Sequence, residues 1–350
     1  MSTPPVAPHI YAKPYLSIPD QLTLLSGRGM EISDRTAAAS CLERIGYYRL
    51  SGYWYPFRKF TWRMDEAAKK SRRFVENSFQ PNTSFQSVME LYVFDKRLRL
   101  LFLDAIERVE VALRVDIALL LGTRAPWAHR DPHQLHGNFA KRTDPNTGQT
   151  EFHRWLATLD QAFTRSREEF ALHFKGKYPG DTPPIWIAIE LWDFGMLSVF
   201  LSGMKFADQQ SLALKYGLPR PELLTSWVRN LNHVRNICAH HSRLWNRSPV
   251  DQIAPPKSGE ILLLNHLVNN QQSLSRIYAT AATLQFLLHT IHPGSSWAER
   301  LKQHCQSFPT SQIVRLGQGG FPQDWCDLPL WGKPCQPPSD ISRQVGPNLN

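Results

Sequence analysis

In the segment Arg235-Asn236-Ile237-Cys238-Ala239-His240, four residues separate an arginine from a histidine. That pair suits one reaction well, the transesterification of RNA, in which a ribose 2′-hydroxyl attacks the adjacent phosphate. The attack requires a group that moves protons near neutral pH, which is the natural range of imidazole. It also requires a fixed cation where the phosphoryl oxygens gain charge, and a guanidinium offers planar, bidentate donors there. Arg235 and His240 are of the residue types that these roles need, and Asn236 lies between them in the sequence. The reaction uses no metal and no cofactor, and DNA lacks the attacking hydroxyl.

Whether these residues meet depends on the helix that carries them. Projected at about 100° per residue, Leu224, Trp227, Leu231, Val234, Cys238 and Trp245 of Pro221 to Arg247 gather on one side. Arg229, Asn232, Asn236, His240, Arg243 and Arg247 gather on the opposite side, within roughly 40° of one another. A solvated helix face normally mixes Glu with Lys, which gain from i,i+4 pairing. This stripe has cations, amides and a histidine but no carboxylate, which suits phosphate oxygens; the bland alternative is a basic helix with a chance histidine. Arg235 lies on the flank, about 100° from Asn236, and is better placed if two copies face each other across a two-fold axis. His241 falls at the edge of the apolar side, where a core or boundary imidazole is expected. Cys238, His240 and His241 project in different directions, so they make a poor metal site.

The rest of the chain must position this helix. Its 350 residues are 42% hydrophobic and 20% charged, enough for one large domain or two modest ones. A net charge of +10 favours a polyanionic partner, nucleic acid or an anionic membrane surface. The most apolar stretch, Leu98 to Leu121, carries charges every few residues, so no membrane span is expected. Met1 to Ile10 lacks the pattern of a signal peptide, and five scattered cysteines fit reduced thiols in a cytoplasm.

Residues 1–16 read as a flexible arm. Ser17 with Asp20 reads as a capped helix start, and a second helix runs from Ser33-Asp34 to Ile45. The segment Tyr47 to Arg58 is dense in aromatics, and Arg63, Lys69, Lys70, Arg72 and Arg73 follow it. Ser84 to Leu121 reads as one long helix or two abutting ones, apolar nearly all round, as in the middle of a bundle, with Gly122 as its stop. Residues 130–150 read as a loop. Further helices are expected over Glu151–Phe174, Ile185–Met204, Pro221–Trp245 and Ser273–His289, with an irregular tail after Phe308. Strand signals are sparse, so the fold class is all-α: an N-terminal helical and aromatic subdomain over 17–83, a helical bundle over 84–305, and a Pro/Gly/Trp-rich tail over 306–350.

Four segments, in order, resemble a known family. They are Ile45-Gly46-Tyr47-Tyr48-Arg49-Leu50-Ser51-Gly52-Tyr53-Trp54, the stretches Leu91–Arg99 and Ile106–Arg114, the motif region Trp227–Asn246, and Gly319–Trp325 ending in Leu330-Trp331. Together they resemble the Abi-like (AbiD/AbiF) abortive-infection family of the HEPN superfamily of helical nucleases. The resemblance implies a HEPN-like bundle, a homodimer that pairs two motifs in one cleft, and metal-independent endoribonuclease activity leaving 2′,3′-cyclic phosphate and 5′-hydroxyl ends. It also implies a role in phage defence or as a toxin. The partners to expect are RNA, a second copy of the chain, and a protein or RNA antitoxin, with no membrane.

The matched region draws in further residues. Glu110 and Arg114 are spaced i,i+4 among Leu103, Ile106, Leu113 and Ile117, as a buried pair that either holds the motif helix or joins the catalytic set. The aromatic segment either packs the subdomain or stacks on unpaired bases. In the second case Arg49 and Arg58, together with Arg247, contact RNA. The rival to an enzyme is a non-catalytic RNA-binding or protein-interacting sensor, which needs the basic face but not His240.

Overall fold

The computed structural model describes residues 14–65 and 69–332. Most of the expected flexible arm, residues 1–13, and the end of the expected tail, 333–350, lie outside the described residues. The described residues divide into two compact units, 14–94 with 309–315, and 95–308 with 316–332.

In the first unit, helix α1 spans Ile18–Gly27 and α2 spans Arg35–Ile45. Both starts are capped as the sequence suggests. The Ser17 hydroxyl accepts the Asp20 N–H at 3.3 Å, and the Asp34 carboxylate accepts the Ala37 N–H at 2.8 Å. Gly46, at φ 89°, turns the chain into α3, Tyr47–Trp54. The aromatic segment is therefore mostly helical. It buries Leu50, Tyr53, Trp54 and Phe57 and leaves Tyr48 and Tyr55 exposed.

An antiparallel ribbon follows, β1 (Arg58–Asp65) and β2 (Lys70–Phe79). This corrects the purely helical expectation at one place: Phe60, Trp62 and Met64 alternate with polar residues at the strand period of two. Elsewhere the chain is mostly helical, as expected.

Helix α4, Phe85–Gly122, is one continuous helix and not two abutting ones, 38 residues or roughly 57 Å. From Asp95 onward it belongs to the second unit. Here it is not apolar-buried all round. Leu98, Phe102, Ile106, Val109, Leu113 and Ile117 are buried, whereas Leu100, Val111, Val115 and Leu119 form an exposed stripe within about 100° of arc.

The second unit continues with α5 (Gly137–Ala140), α6 (Glu151–Arg165), α7 (Glu169–Lys177), α8 (Ile185–Ala188), α9 (Phe194–Gly203), α10 (Phe206–Lys215), α11 (Pro221–Ala239), α12 (Gln271–Leu274), α13 (Ile277–Ile291) and α14 (Trp297–Gln306). Two expected helices are each broken. Glu151–Phe174 divides at Ser166, where the Lys175 ammonium donates to the Thr164 and Ser166 carbonyls that end α6. Ile185–Met204 divides at Trp192, which is extended, and Asp193 restarts the helix by accepting the Met196 N–H at 2.7 Å. Helices α10 and α14 were not foreseen. The core centres on α13, whose residues are nearly all buried. Against it the tail packs Trp325 and Trp331, whose ring centroids lie 6.2 and 6.1 Å from that of Tyr278, and the Trp331 indole N–H donates to the Tyr278 hydroxyl at 3.3 Å. Among the described residues, no helix is long and apolar enough to cross a membrane.

Candidate active site

The motif helix α11 begins with Pro221 in its first turn and buries Leu224, Trp227, Leu231, Val234 and Cys238. Asn230 fixes its rotation. Its side chain accepts from the Thr280 hydroxyl of α13 at 2.8 Å and donates to the Asp251 carbonyl at 2.6 Å. The opposite face carries Arg229 and Asn236, both exposed, and Asn232, half-buried.

The helix stops at Ala239, six residues short of the expected end at Trp245. His240 is the cap, and His241 takes a left-handed conformation at φ 57°. The His241 N–H donates to the Cys238 carbonyl and the Ser242 N–H to the Ile237 carbonyl, each at 3.0 Å. This is the Schellman ending, with histidine where glycine is usual. No glycine marks the stop in the sequence, which is why the helix was expected to continue. Arg243 and Arg247 therefore lie beyond the helix and are not part of its stripe. His241 is exposed, not the core or boundary imidazole expected.

The chain after the helix is held by a buried pair on α4. Asp95, wholly buried, accepts from Arg99 at 2.5 Å and from the backbone N–H groups of Leu244 and Trp245 at 3.0 and 2.7 Å. Arg99 also donates to the Ser242 carbonyl at 3.3 Å. Neither residue was singled out in the sequence. Their signal is an i,i+4 acid and base inside the apolar row Leu91, Phe94, Leu98 and Phe102. The pair also borders Cys238, whose thiol is pushed up to about 12 by burial and by the Asp95 charge, against the pull of Arg99.

Three elements converge on the flank of α11. Glu110 of α4 accepts from Arg114 at 2.5 Å, and Arg114 reaches the Trp192 carbonyl, at the break between α8 and α9, at 2.6 Å. The pair is largely buried, with side chains 13% and 19% exposed. Burial pushes the Glu110 carboxyl above its ordinary range. The charges of Arg114 and then Arg235 pull the other way, and those of Asp193 and Glu107 add to the rise. Arg235 thus comes within electrostatic reach of Glu110, and its guanidinium donates to the Asn236 side-chain oxygen at 3.4 Å. Asp193 was missed in the sequence because the apolar pattern of Ile185–Met204 runs straight through it.

Arg229 and Asn232 line a cleft of about 890 Å³, with Gly195 and Ser198 of α9 and Arg142 and Arg154 opposite. Gly195 leaves room for the Asp193 carboxylate that caps α9. A Cβ there would lie 3.1 Å from the Asp193 carboxylate and 3.9 Å from the Asn232 amide.

The structure thus gathers Glu110, Arg114, Asp193 and Arg235, runs Arg229 and Asn232 into the adjoining cleft, and sets Asn236 and His240 on the exposed side and end of the same helix. Arg49 and Arg58 belong to the first unit, Arg49 exposed and Arg58 half-buried, with its guanidinium 5.9 Å from the Tyr55 ring centroid. The family model for Abi-like proteins matches residues 40–246, a span that begins in α2 and closes just past Trp245. No curated protein and no solved structure matches the chain.

Proposed function

The chain belongs to the Abi-like protein family, which ties it to abortive infection and phage defence, and on that premise we propose that it is a metal-independent endoribonuclease. Arg235 steadies the charge that develops on the phosphoryl oxygens, and His240 moves the proton. Asn236, which accepts from Arg235, orients that guanidinium or the phosphate. The observation that carries this reading is the placement of Arg235. It sits on a rigid helix within reach of a largely buried acid, so its head is directed without being consumed by a full ion pair. Glu110 and Arg114 position that helix, and Arg229 and Asn232 supply donors for the RNA in the cleft beside it.

The reading includes a homodimer. A stripe of exposed apolar side chains on α4, Leu100, Val111, Val115 and Leu119, offers a self-complementary surface for it. Leu119→Glu, placing a charge in that stripe, is expected to convert a dimer to a monomer in sedimentation and to lower activity with it.

The test is to incubate purified wild type, Arg235→Ala and His240→Ala with cellular RNA and map the ends. Wild type is expected to leave 2′,3′-cyclic phosphate and 5′-hydroxyl ends, undiminished by a chelator. Each variant should be slower by roughly 10² to 10⁴-fold. Wild-type protein that leaves RNA uncut, indistinguishable from His240→Ala, sinks the proposal. RNA bound but uncut by both would favour the sensor instead.

A further inference from the structure

The β1–β2 ribbon is covered on neither face: from Lys59 to Ser78 no described residue is buried. A two-stranded ribbon is marginal on its own, so large apolar side chains left in water on one call for a reason. Phe60, Trp62 and Met64 are 41%, 65% and 61% exposed. The strand register puts them on one face, paired with Val75, Arg73 and Ser71. The other face carries Arg63 opposite Arg72, Thr61 opposite Phe74, and Asp65 opposite Lys70.

Cations and rings are interleaved here. The Arg73 guanidinium lies 4.0 Å from the Phe60 ring centroid, Trp62 meets the Phe60 ring edge-on at 6.4 Å, and Arg63 lies 5.6 Å from the Phe74 ring centroid. The two strands hold Arg58, Lys59, Arg63, Lys70, Arg72 and Arg73 against only Asp65 and Glu76. Arg63 and Arg72 face each other directly, a like-charge pairing that costs stability in the free ribbon and that an anion between them would reverse. Of the two, Arg72 is met by Asp65 at 2.9 Å.

We propose that this ribbon is a docking platform for single-stranded RNA, with unpaired bases stacking on Phe60 and Trp62 and the sugar–phosphate chain meeting Arg63, Arg72 and Arg73. The inference rests on the reading of RNA as the substrate and assigns the strand a second holding point. The Phe60 and Trp62 rings meet edge-on, so a base stacks on the outer face of either ring and not between them. Stacking of this kind tolerates any sequence, and Arg adds a planar cationic surface. A second copy of the chain fits poorly because it brings the same excess of positive charge to the contact. A lipid surface fits poorly because a cation lies across the apolar ring that would have to insert.

Binding is measured by fluorescence anisotropy with a labelled single-stranded RNA oligonucleotide, using full-length His240→Ala protein so that cleavage does not intrude. The result is then independent of whether the wild type cuts RNA. Adding Phe60→Ser and Trp62→Ser is expected to weaken binding by about tenfold or more, and adding Arg73→Glu alone should also weaken it and flatten its salt dependence. The same RNA as a perfect duplex should bind both proteins alike, since its bases are already stacked. Thermal melting checks the fold, and Arg73→Glu carries the test if the ring variants do not fold. Unchanged affinity for the single strand overturns the proposal. So does loss of binding to anionic vesicles, or a change in sedimentation, without loss of RNA affinity.

Discussion

The Asp95 carboxylate accepts the Trp245 backbone N–H at 2.7 Å, joining the middle of α4 to the chain that leaves the motif helix. With Arg99 it forms a buried clamp on Ser242, Leu244 and Trp245, and so fixes where the chain goes after His240. Asp95→Ala leaves Arg99 buried without its counter-charge and is expected to cost about 3–5 kcal/mol. Adding Arg99→Leu should recover part of that loss. Urea unfolding measures both, and a cost under about 1 kcal/mol for the single variant would refute the clamp.

His241 holds a left-handed conformation that glycine adopts without a steric penalty. His241→Gly is therefore expected to stabilise the protein by about 0.5–1 kcal/mol, while His241→Ala keeps the strain. RNA cleavage should survive His241→Gly and be lost in His240→Ala, which separates two adjacent histidines by function. Melting temperature and cleavage rate are the two readings, and loss of cleavage in His241→Gly would move the proton-transfer role to that residue.

The Cys238 thiol is buried and held up at about 12. Native protein at pH 8 should leave Cys238 unmodified by iodoacetamide while the half-buried Cys41 reacts faster, and urea should expose both. Peptide mass spectrometry reads the two sites in one experiment. Rapid native labelling of Cys238 would mean that the end of α11 opens readily.

His129 is wholly buried, and neither of its ring nitrogens has a hydrogen-bond partner among the described residues. Burial, with a smaller contribution from Arg130, lowers it from 6.5 to about 3. The unfolded chain then binds the extra proton between those limits, so stability is full above pH 6.5 and falls as the pH drops toward 3. The loss is on the order of 5 kcal/mol. His129→Leu should flatten that limb of a stability–pH curve measured by urea unfolding, and an unaltered slope would count against it.

Much of the fold was legible where one signal dominated. Ser17 and Asp34 announced their helices through side-chain caps, and α4 showed itself by length and periodicity. The misses have physical causes. At Trp192-Asp193 the apolar pattern continues through a break, because residues on both sides of it are buried. At His241 a left-handed residue ends the helix without the glycine that usually gives it away. In the ribbon, alternation at period two was present, but neither face is buried, so its basic residues stood out and its strands did not. For the candidate site, the spacing of Arg235 and His240 drew attention to the motif, and the family resemblance drew attention to the Glu110–Arg114 pair. The approach of Arg235 to that pair was not visible, since it depends on how α4 and the start of α9 pack against α11.

The clamp also sets an order of events during synthesis. Asp95 leaves the ribosome some 150 residues ahead of Trp245, an interval of about 8 to 30 s at ordinary elongation rates. Throughout it, the motif's final turn has nothing to be moored to, and a chain interrupted before Trp245 never gains that anchorage. The end of the motif helix is thereby fixed only after most of the chain has been made.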